Sequence, residues 1–208
     1  MTSSSLDVAR LVRLAIAGDR PAVNQLLVHF RPQLHRMIAV RMDSRLRARL
    51  DPSDVVQIVL AHAAASIATS QRPAEDFYLW LRQMAWDELA RLHRDHLATQ
   101  KRSVTLEQQE WAARTAEESM VRLADQLAAK QLGPSSQAVH RELRTRVREA
   151  VEQLAAQDSE VLVLRFLEQL SVSETAAALG LSVAAVKSRQ FRAVARLGKL
   201  LEGLEGQS

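Results

Sequence analysis

Ser173-Glu174-Thr175-Ala176-Ala177-Ala178-Leu179-Gly180-Leu181-Ser182-Val183-Ala184-Ala185-Val186-Lys187-Ser188-Arg189 is a run of helix formers interrupted at a single glycine. Its order is that of a helix-turn-helix. A first helix begins after Ser173, and small Ala177 allows a second helix to approach closely. Gly180 supplies the backbone freedom of a tight turn. Leu181 plugs the core, and Ser182 caps the second helix. Val186 faces inward, while Lys187, Ser188, Arg189 and Arg192 are available outward. A second helix of this kind lies in the major groove, with its early residues at base edges and its cations at phosphates or guanines. A plain helical hairpin with a glycine turn has the same spacing. Val183 to Leu200 holds five Lys or Arg and no acid, which favours the DNA-reading form.

Working outward, almost everything reads as helix. Ala, Leu, Arg, Gln and Glu dominate, and no stretch alternates long enough for a strand. A helix runs from about Leu6 to Ala17 and stops at Gly18-Asp19. A second starts near Pro21 and passes Leu26, Leu27 and Phe30, with Pro32 at its exit or at a kink. A basic segment follows through Met37, Ile38 and Val40. Asp51-Pro52-Ser53-Asp54 is a helix opening with a cap, a first-turn proline and an acid three residues on. The helix it opens, to about Ala68, is apolar nearly all round, which predicts a central position. Thr69 to Asp76 reads as a loop. Phe77 to about Leu97 is helical, with Leu81, Ala85, Leu89 and Leu92 as an inner stripe. Trp80, Gln83, Asp87, Arg91 and Arg94 fall on another face. Ser103 to Leu132 is more polar and partly helical, Gly133-Pro134-Ser135-Ser136 marks a boundary, Val139 to Leu154 is amphipathic, and Asp158 or Ser159 caps a short helix through Leu167. The expected fold is all-α: two small helical domains joined by a flexible linker, the second carrying the helix-turn-helix. Residues 1–102 and 135–208 are the domains, and 103–134 the linker.

The chain has 208 residues, no Cys and a 47% apolar content. That excludes global disorder, a disulfide scaffold, a thiolate zinc site and a Cys nucleophile. The longest uncharged run, Val55 to Gln71, contains Gln57 and His62 and is too short and polar for a membrane span. The start of the chain lacks an apolar signal core. These features suit a cytoplasmic protein. The net charge is +4, but the charge is unevenly placed. Arg31 to Leu50 holds six Arg and one Asp, whereas Ser103 to His140 holds five acids and three bases. Two basic blocks flanking an acidic stretch suit two surfaces for one polyanion; they equally suit solvated helix faces. His93 and His96 have no third ligand at suggestive spacing, so no metal site is expected. There is no phosphate-binding loop or nucleophile elbow, and neither enzymatic activity nor a cofactor is expected.

The tail from Leu154 through Glu160-Val161-Leu162-Val163-Leu164-Arg165-Phe166 to Arg192-Ala193 resembles the promoter-binding domain of bacterial sigma factors. The resemblance is to the extracytoplasmic-function (ECF) subfamily. Two further segments agree and stand in the family's order. Asp51-Pro52-Ser53-Asp54-Val55-Val56-Gln57 resembles the segment that docks on the polymerase clamp helices. Phe77-Tyr78-Leu79-Trp80-Leu81-Arg82-Gln83-Met84-Ala85 resembles the segment that reads and melts the minus-ten promoter element. The likeness covers about residues 8–102 and 140–200. The chain departs from the family's habits at Asp87, where Asn is frequent, at Trp86 before it, at Ile58, where an acid is common, and at Ala155-Ala156-Gln157, where Leu-Pro is common.

The resemblance implies a non-catalytic sigma factor that binds core RNA polymerase and promoter DNA, with an anti-sigma factor as a further partner. It implies polymerase binding at Asp54, Val55 and Gln57, and minus-ten contacts at Arg72, Phe77, Trp80, Gln83, Asp87, Arg91 and Arg94. It implies minus-thirty-five contacts at Lys187, Ser188, Arg189 and Arg192. Melting requires a base held out of the stack, which suits a loop followed by aromatics. Phe77 and Trp80 also fit a core position, the arginines in the second half of the helix also fit a solvated face, and the six Arg from Arg31 to Arg49 fit either DNA or polymerase. A helix-turn-helix regulator acting alone on duplex DNA explains the tail but leaves the two N-terminal segments without a role.

Overall fold

The structure, a computed structural model, describes residues 3–69, 77–97, 115–126 and 137–205. Among these every regular element is helical. The chain divides into two compact units, Met1–Trp111 and Ala112–Ser208.

The first unit is built on α1 (Ser3–Ile16), α2 (Arg20–Arg41), the single turn α3 (Ser44–Arg47), α4 (Pro52–Ser66) and α5 (Phe77–Leu97). Asp19 caps α2 by accepting from the Ala22 N–H at 2.8 Å. The chain turns into it at Gly18, whose φ of +89° favours glycine. α2 continues through Pro32 as one helix and absorbs the basic segment expected to be separate. Pro32 cannot donate to the Val28 carbonyl. Both residues are exposed, and Leu34, Met37 and Ile38 hold the following turns in the core. Around α2 pack Val12 and Ala15 of α1, Val55, Val56, Val59 and Ala63 of α4, and Phe77, Leu81, Ala85 and Leu89 of α5.

α4 is not central. Its buried residues occupy one face, while Asp54, Gln57, Ala61 and Ala64 form an exposed stripe at helical spacing. Small alanines, not burial on all sides, made the helix look uniformly apolar.

The second unit contains α6 (115–126), α7 (Gln137–Glu152), α8 (Ala156–Leu162), a π-helical turn (Val163–Leu167), α9 (Val172–Leu179) and α10 (Val183–Glu205). α6 falls within the segment expected to be a linker. Its Leu123 is fully buried, and Ala124 packs with Val147, Ala150, Val151 and Leu197. The polar composition of 103–134 concealed this apolar stripe. The boundary expected at Gly133–Ser136 lies outside the described residues, and the compact unit begins before it.

α8 opens after Ala155, three residues before Asp158, with Asp158 in its first turn. The π-turn closes with the Glu168 N–H bonded to the Val163 carbonyl at 3.1 Å, and Gln169 then takes a left-handed φ of 60°. Arg165 donates to the Leu170 carbonyl and, at 3.2 Å, to Gln190 Oε1. It thereby ties the entry of α9 to α10.

Candidate nucleic-acid and polymerase surfaces

The helix-turn-helix is formed by α9 and α10. α9 opens at Ser171, not after Ser173. The Ser171 hydroxyl accepts from the Glu174 N–H at 3.1 Å, and the Glu174 carboxylate accepts from the Ser171 N–H at 2.7 Å. Gly180 ends α9 at φ +63°, a left-handed position that disfavours side chains. Ser182 caps α10 by accepting from the Ala185 N–H at 3.1 Å. Val161, Ala176 and Val186 form the small core between these helices, with Leu181 packed against it. Ala176, not Ala177, is thus the small residue that lets the helices close, since Ala177 is exposed.

Val186, Ala193 and Leu197 bury one face of α10. Ser188 and Arg192 lie exposed on the opposite side, and Lys187 lies exposed on the flank. Lys187 and Arg192 have no ion-pair partner among the described residues. Ser188 and Arg192 are four apart and share a face. Arg189 is half-buried and lines a recess with Gln157, Glu160, Leu179 and Leu181. It therefore sits apart from the other three. Sequence reasoning passed over Phe191, which is 76% exposed between Ser188 and Arg192. A large apolar side chain left in water among cations was the available signal, since an exposed ring can contact a thymine methyl.

On α5 the inner stripe Leu81, Ala85, Leu89 and Leu92 is buried as the spacing predicts. Phe77 belongs to the core too. It is 2% exposed, with its ring 5.4 Å from that of Phe30 and 5.4 Å from that of Trp80. This corrects its expected place as a DNA contact: it supports Trp80, which is half-buried and keeps part of its ring accessible. Gln83 and Asp87 are exposed and bonded to each other, Gln83 Nε2 donating to Asp87 Oδ1 at 2.9 Å. Arg91 is exposed, but carboxylates hold it. It donates to both oxygens of Glu88, at 2.5 and 3.0 Å, and to Asp95 at 2.7 Å. The hydrogen-bonded Glu88 carboxylate raises the Arg91 guanidinium above its ordinary value. Arg94 is half-buried. Arg72 lies outside the described residues.

The unusual Trp86 has a packing role. The Arg41 guanidinium, on a residue only 2% exposed, lies 5.8 Å from its ring centre. Arg41 thus leaves the set of basic residues available to a polyanion, whereas Arg31, Arg45, Arg47 and Arg49 remain exposed. His93 is buried, with Nε2 3.5 Å from Asp43 Oδ2. Among the described residues no group of three or more His, Asp or Glu is placed to hold a metal ion.

On α4 the outward stripe begins with Asp54 and Gln57. Asp54 Oδ2 also accepts from the Asp51 N–H at 3.3 Å, and Asp51 accepts from the Ser53 N–H at 2.7 Å. That second bond holds the Asp51 carboxyl below its usual value. Val55 is fully buried and cannot touch a partner, which corrects its expected role. It anchors the helix from behind. The alanines that follow leave a flat strip that another helix can approach closely.

Residues 144–197 match the family described as Sigma-70, region 4. The chain is 30% identical over 199 residues to the ECF RNA polymerase sigma factor SigD of Mycobacterium tuberculosis, covering 95% of this chain and 85% of that protein. It is 28% identical over 201 residues to the ECF RNA polymerase sigma factor BldN of Streptomyces coelicolor, covering 96% of this chain and 67% of that protein. A solved structure of CnrH in complex with the cytosolic domain of CnrY superimposes with a TM-score of 0.50 at 24% identity. The superposition covers 95% of this chain and 98% of CnrH, a likeness of fold.

Proposed function

The chain belongs to the ECF RNA polymerase sigma factors, and from that membership we propose how its surfaces share the work of promoter recognition. As a sigma factor it directs RNA polymerase to promoters and serves transcription initiation. In this reading α10 takes the minus-thirty-five element through Lys187, Ser188 and Arg192, with Phe191 beside them. The face of α5 bearing Trp80, Gln83, Asp87, Arg91 and Arg94 takes the minus-ten element, with Arg72 in the preceding segment. The strip on α4 headed by Asp54 and Gln57 docks on core polymerase. Arg189 stays at the margin, within its own recess.

The observation that carries this reading is the pair α9–α10. It is a capped helix-turn-helix whose exposed cations lie inside the stretch matched to sigma region 4. A regulator that binds duplex DNA alone would account for this pair. It would not account for the identity to SigD extending over nearly the whole chain.

The protein works in the cytoplasm, where polymerase is, and no described helix is long and apolar enough to cross a membrane. An anti-sigma factor is a partner by family resemblance, and the fold relative CnrH is itself solved with the cytosolic domain of CnrY. The reading involves no catalytic step and no cofactor.

Reconstitution with core polymerase tests it. Run-off transcription from a genomic promoter library should yield discrete starts only when the chain is present. Gln57→Ala should weaken core binding without lowering thermal stability, because Gln57 is exposed and, unlike Asp54, takes no part in the cap. Specific duplex binding with no association to core polymerase would move the assignment to the stand-alone regulator.

A further inference from the structure

The bond between Gln83 and Asp87 determines what α5 can present to a base. A carboxylate only accepts hydrogen bonds, so the Gln83 amide must turn its Nε2 toward Asp87, as the 2.9 Å contact shows. One amide proton and Asp87 Oδ1 are consumed. The second amide proton remains as a donor, and Asp87 Oδ2 remains as a charged acceptor. Both side chains are exposed, and neither has another partner among the described residues. Arg91, one turn beyond Asp87, is engaged by Glu88 and Asp95 and does not neutralise it.

A lone carboxylate on a DNA-facing surface repels phosphate. In the major groove it gains only where the exocyclic amino group of adenine or cytosine is offered to it. The Gln83–Asp87 pair offers a donor beside an acceptor. That pattern complements the major-groove edge of adenine, N6–H beside the N7 acceptor, and its carboxylate oxygen accepts from the N4–H of cytosine. It opposes thymine and guanine, whose major-groove edges present acceptors and no donor to the carboxylate.

We propose that Gln83 and Asp87 act together as a specificity-determining pair, selecting an amino base, cytosine or adenine, over thymine or guanine at one position of the minus-ten element. This rests on the assignment of the α5 face to that element. It adds the class of base that the face accepts and identifies the hydrogen bond that sets it.

The test uses holoenzyme reconstituted with the full chain on templates randomised through the minus-ten element, with read-out by sequencing of transcripts. The parent should favour cytosine or adenine over thymine and guanine by about ten-fold at one position, the size expected of a single good base contact. Asp87→Asn should collapse that preference at that position alone, because an amide can turn to offer either a donor or an acceptor. Gln83→Ala should weaken it, since Asp87 then loses the neighbour that fixes it. Thermal melting of the variants monitors the helix. Retention of the full preference in Asp87→Asn, or a parent that favours thymine or guanine at every selected position, overturns the proposal. Trp80→Ala and Arg94→Ala separate this failure from a deeper one. If they also leave minus-ten selection untouched, the α5 assignment itself falls; if they disturb it while Asp87→Asn does not, only the pair is excluded.

Discussion

Between residues 80 and 95, α5 carries three arginines and three carboxylates; between 183 and 200, α10 carries five lysines and arginines and no carboxylate. The cations at 187 and 192 stand in water without acidic partners among the described residues. On α5, Arg91 is bound by Glu88 and Asp95, and Asp87 leaves a negative charge outward. Two helices assigned to one polyanion thus approach it with different physics. α10 has unneutralised charge, which attracts duplex DNA at a distance and releases counterions on contact. α5 has little net charge to contribute. Under the proposed assignment, its discrimination would come from ring faces and base edges once another part of the assembly has delivered the DNA.

The largest effect is expected where α10 is supported. Leu123 of α6 is fully buried in the second unit, and Leu123→Ala should cost that unit about 2–5 kcal/mol. Calorimetry of the full chain should then show the transition of the second unit falling while that of the first, which holds α5, stays in place. A single transition that shifts as a whole would show that the two faces are not carried by separately stable units.

The next effect distinguishes the faces by salt. Arg192→Ala and Lys187→Ala should each weaken duplex promoter binding. A lost base contact costs about 1–3 kcal/mol and relaxes preference at one position, whereas a lost phosphate contact lowers the salt slope by about one. Arg189→Ala should stay close to the parent, because Arg189 lines the recess against α8 and α9. Binding of a promoter duplex by a fragment spanning residues 112–208, measured over a salt series, reads all three. If Arg189→Ala has the largest effect, the assigned reading face of α10 is rotated from the true one.

Much of this contrast was legible in the sequence, for physical reasons that differ by element. The turn at Gly180, the cap at Ser182 and the inward Val186 each follow from a local rule, and the structure agrees. The inner stripe of α5 follows from periodicity alone. What escaped depended on tertiary contacts. Nothing local distinguishes Ala176 from Ala177; packing of Ala176 against Val161 and Val186 does. Pro32 read as an exit or a kink because the burial of Leu34, Met37 and Ile38, which holds the helix beyond it in the core, is a tertiary property. α6 looked like a tether because its apolar stripe is narrow, and its value appears only when α7 and α10 cover it. Phe77 and Arg41 were ambiguous by type, an aromatic and a cation that serve a core or a ligand equally well. Burial beside Phe30 and against Trp86 decides both.

A smaller change should make α5 behave more like α10. Glu88→Gln removes the charge that engages Arg91 most closely, leaving Asp95 as its remaining carboxylate partner. Released in part, Arg91 becomes available to a phosphate. The salt slope of holoenzyme binding to a promoter with an unpaired minus-ten region should steepen by up to about 0.7, the share of one contact on a single strand. Base preference should be unchanged. A slope equal to that of the parent would mean that Arg91 does not come near the backbone, and that its pairing serves only the helix.

The smallest effect separates the two units by acid. The unit holding α5 opens α4 on Asp51, an ionisable cap, whereas α10 opens on Ser182, which does not titrate in this range. The Ser53 N–H bonded to Asp51 lowers its folded-state pKa below the unfolded value of about 3.9. A lowered carboxyl pKa contributes stability that is fully present above the unfolded value and is lost as pH falls through the folded one. Asp51→Asn keeps a good capping side chain but has no proton to bind. At neutral pH the parent should melt slightly above Asp51→Asn, and the gap should close as pH falls below about 4. The second unit, followed by its own transition, should show no difference between the two proteins at any pH. A gap that persists unchanged to pH 3 would mean that the Ser53 bond does not favour the ionised form, and that Asp51 caps α4 as a neutral residue would.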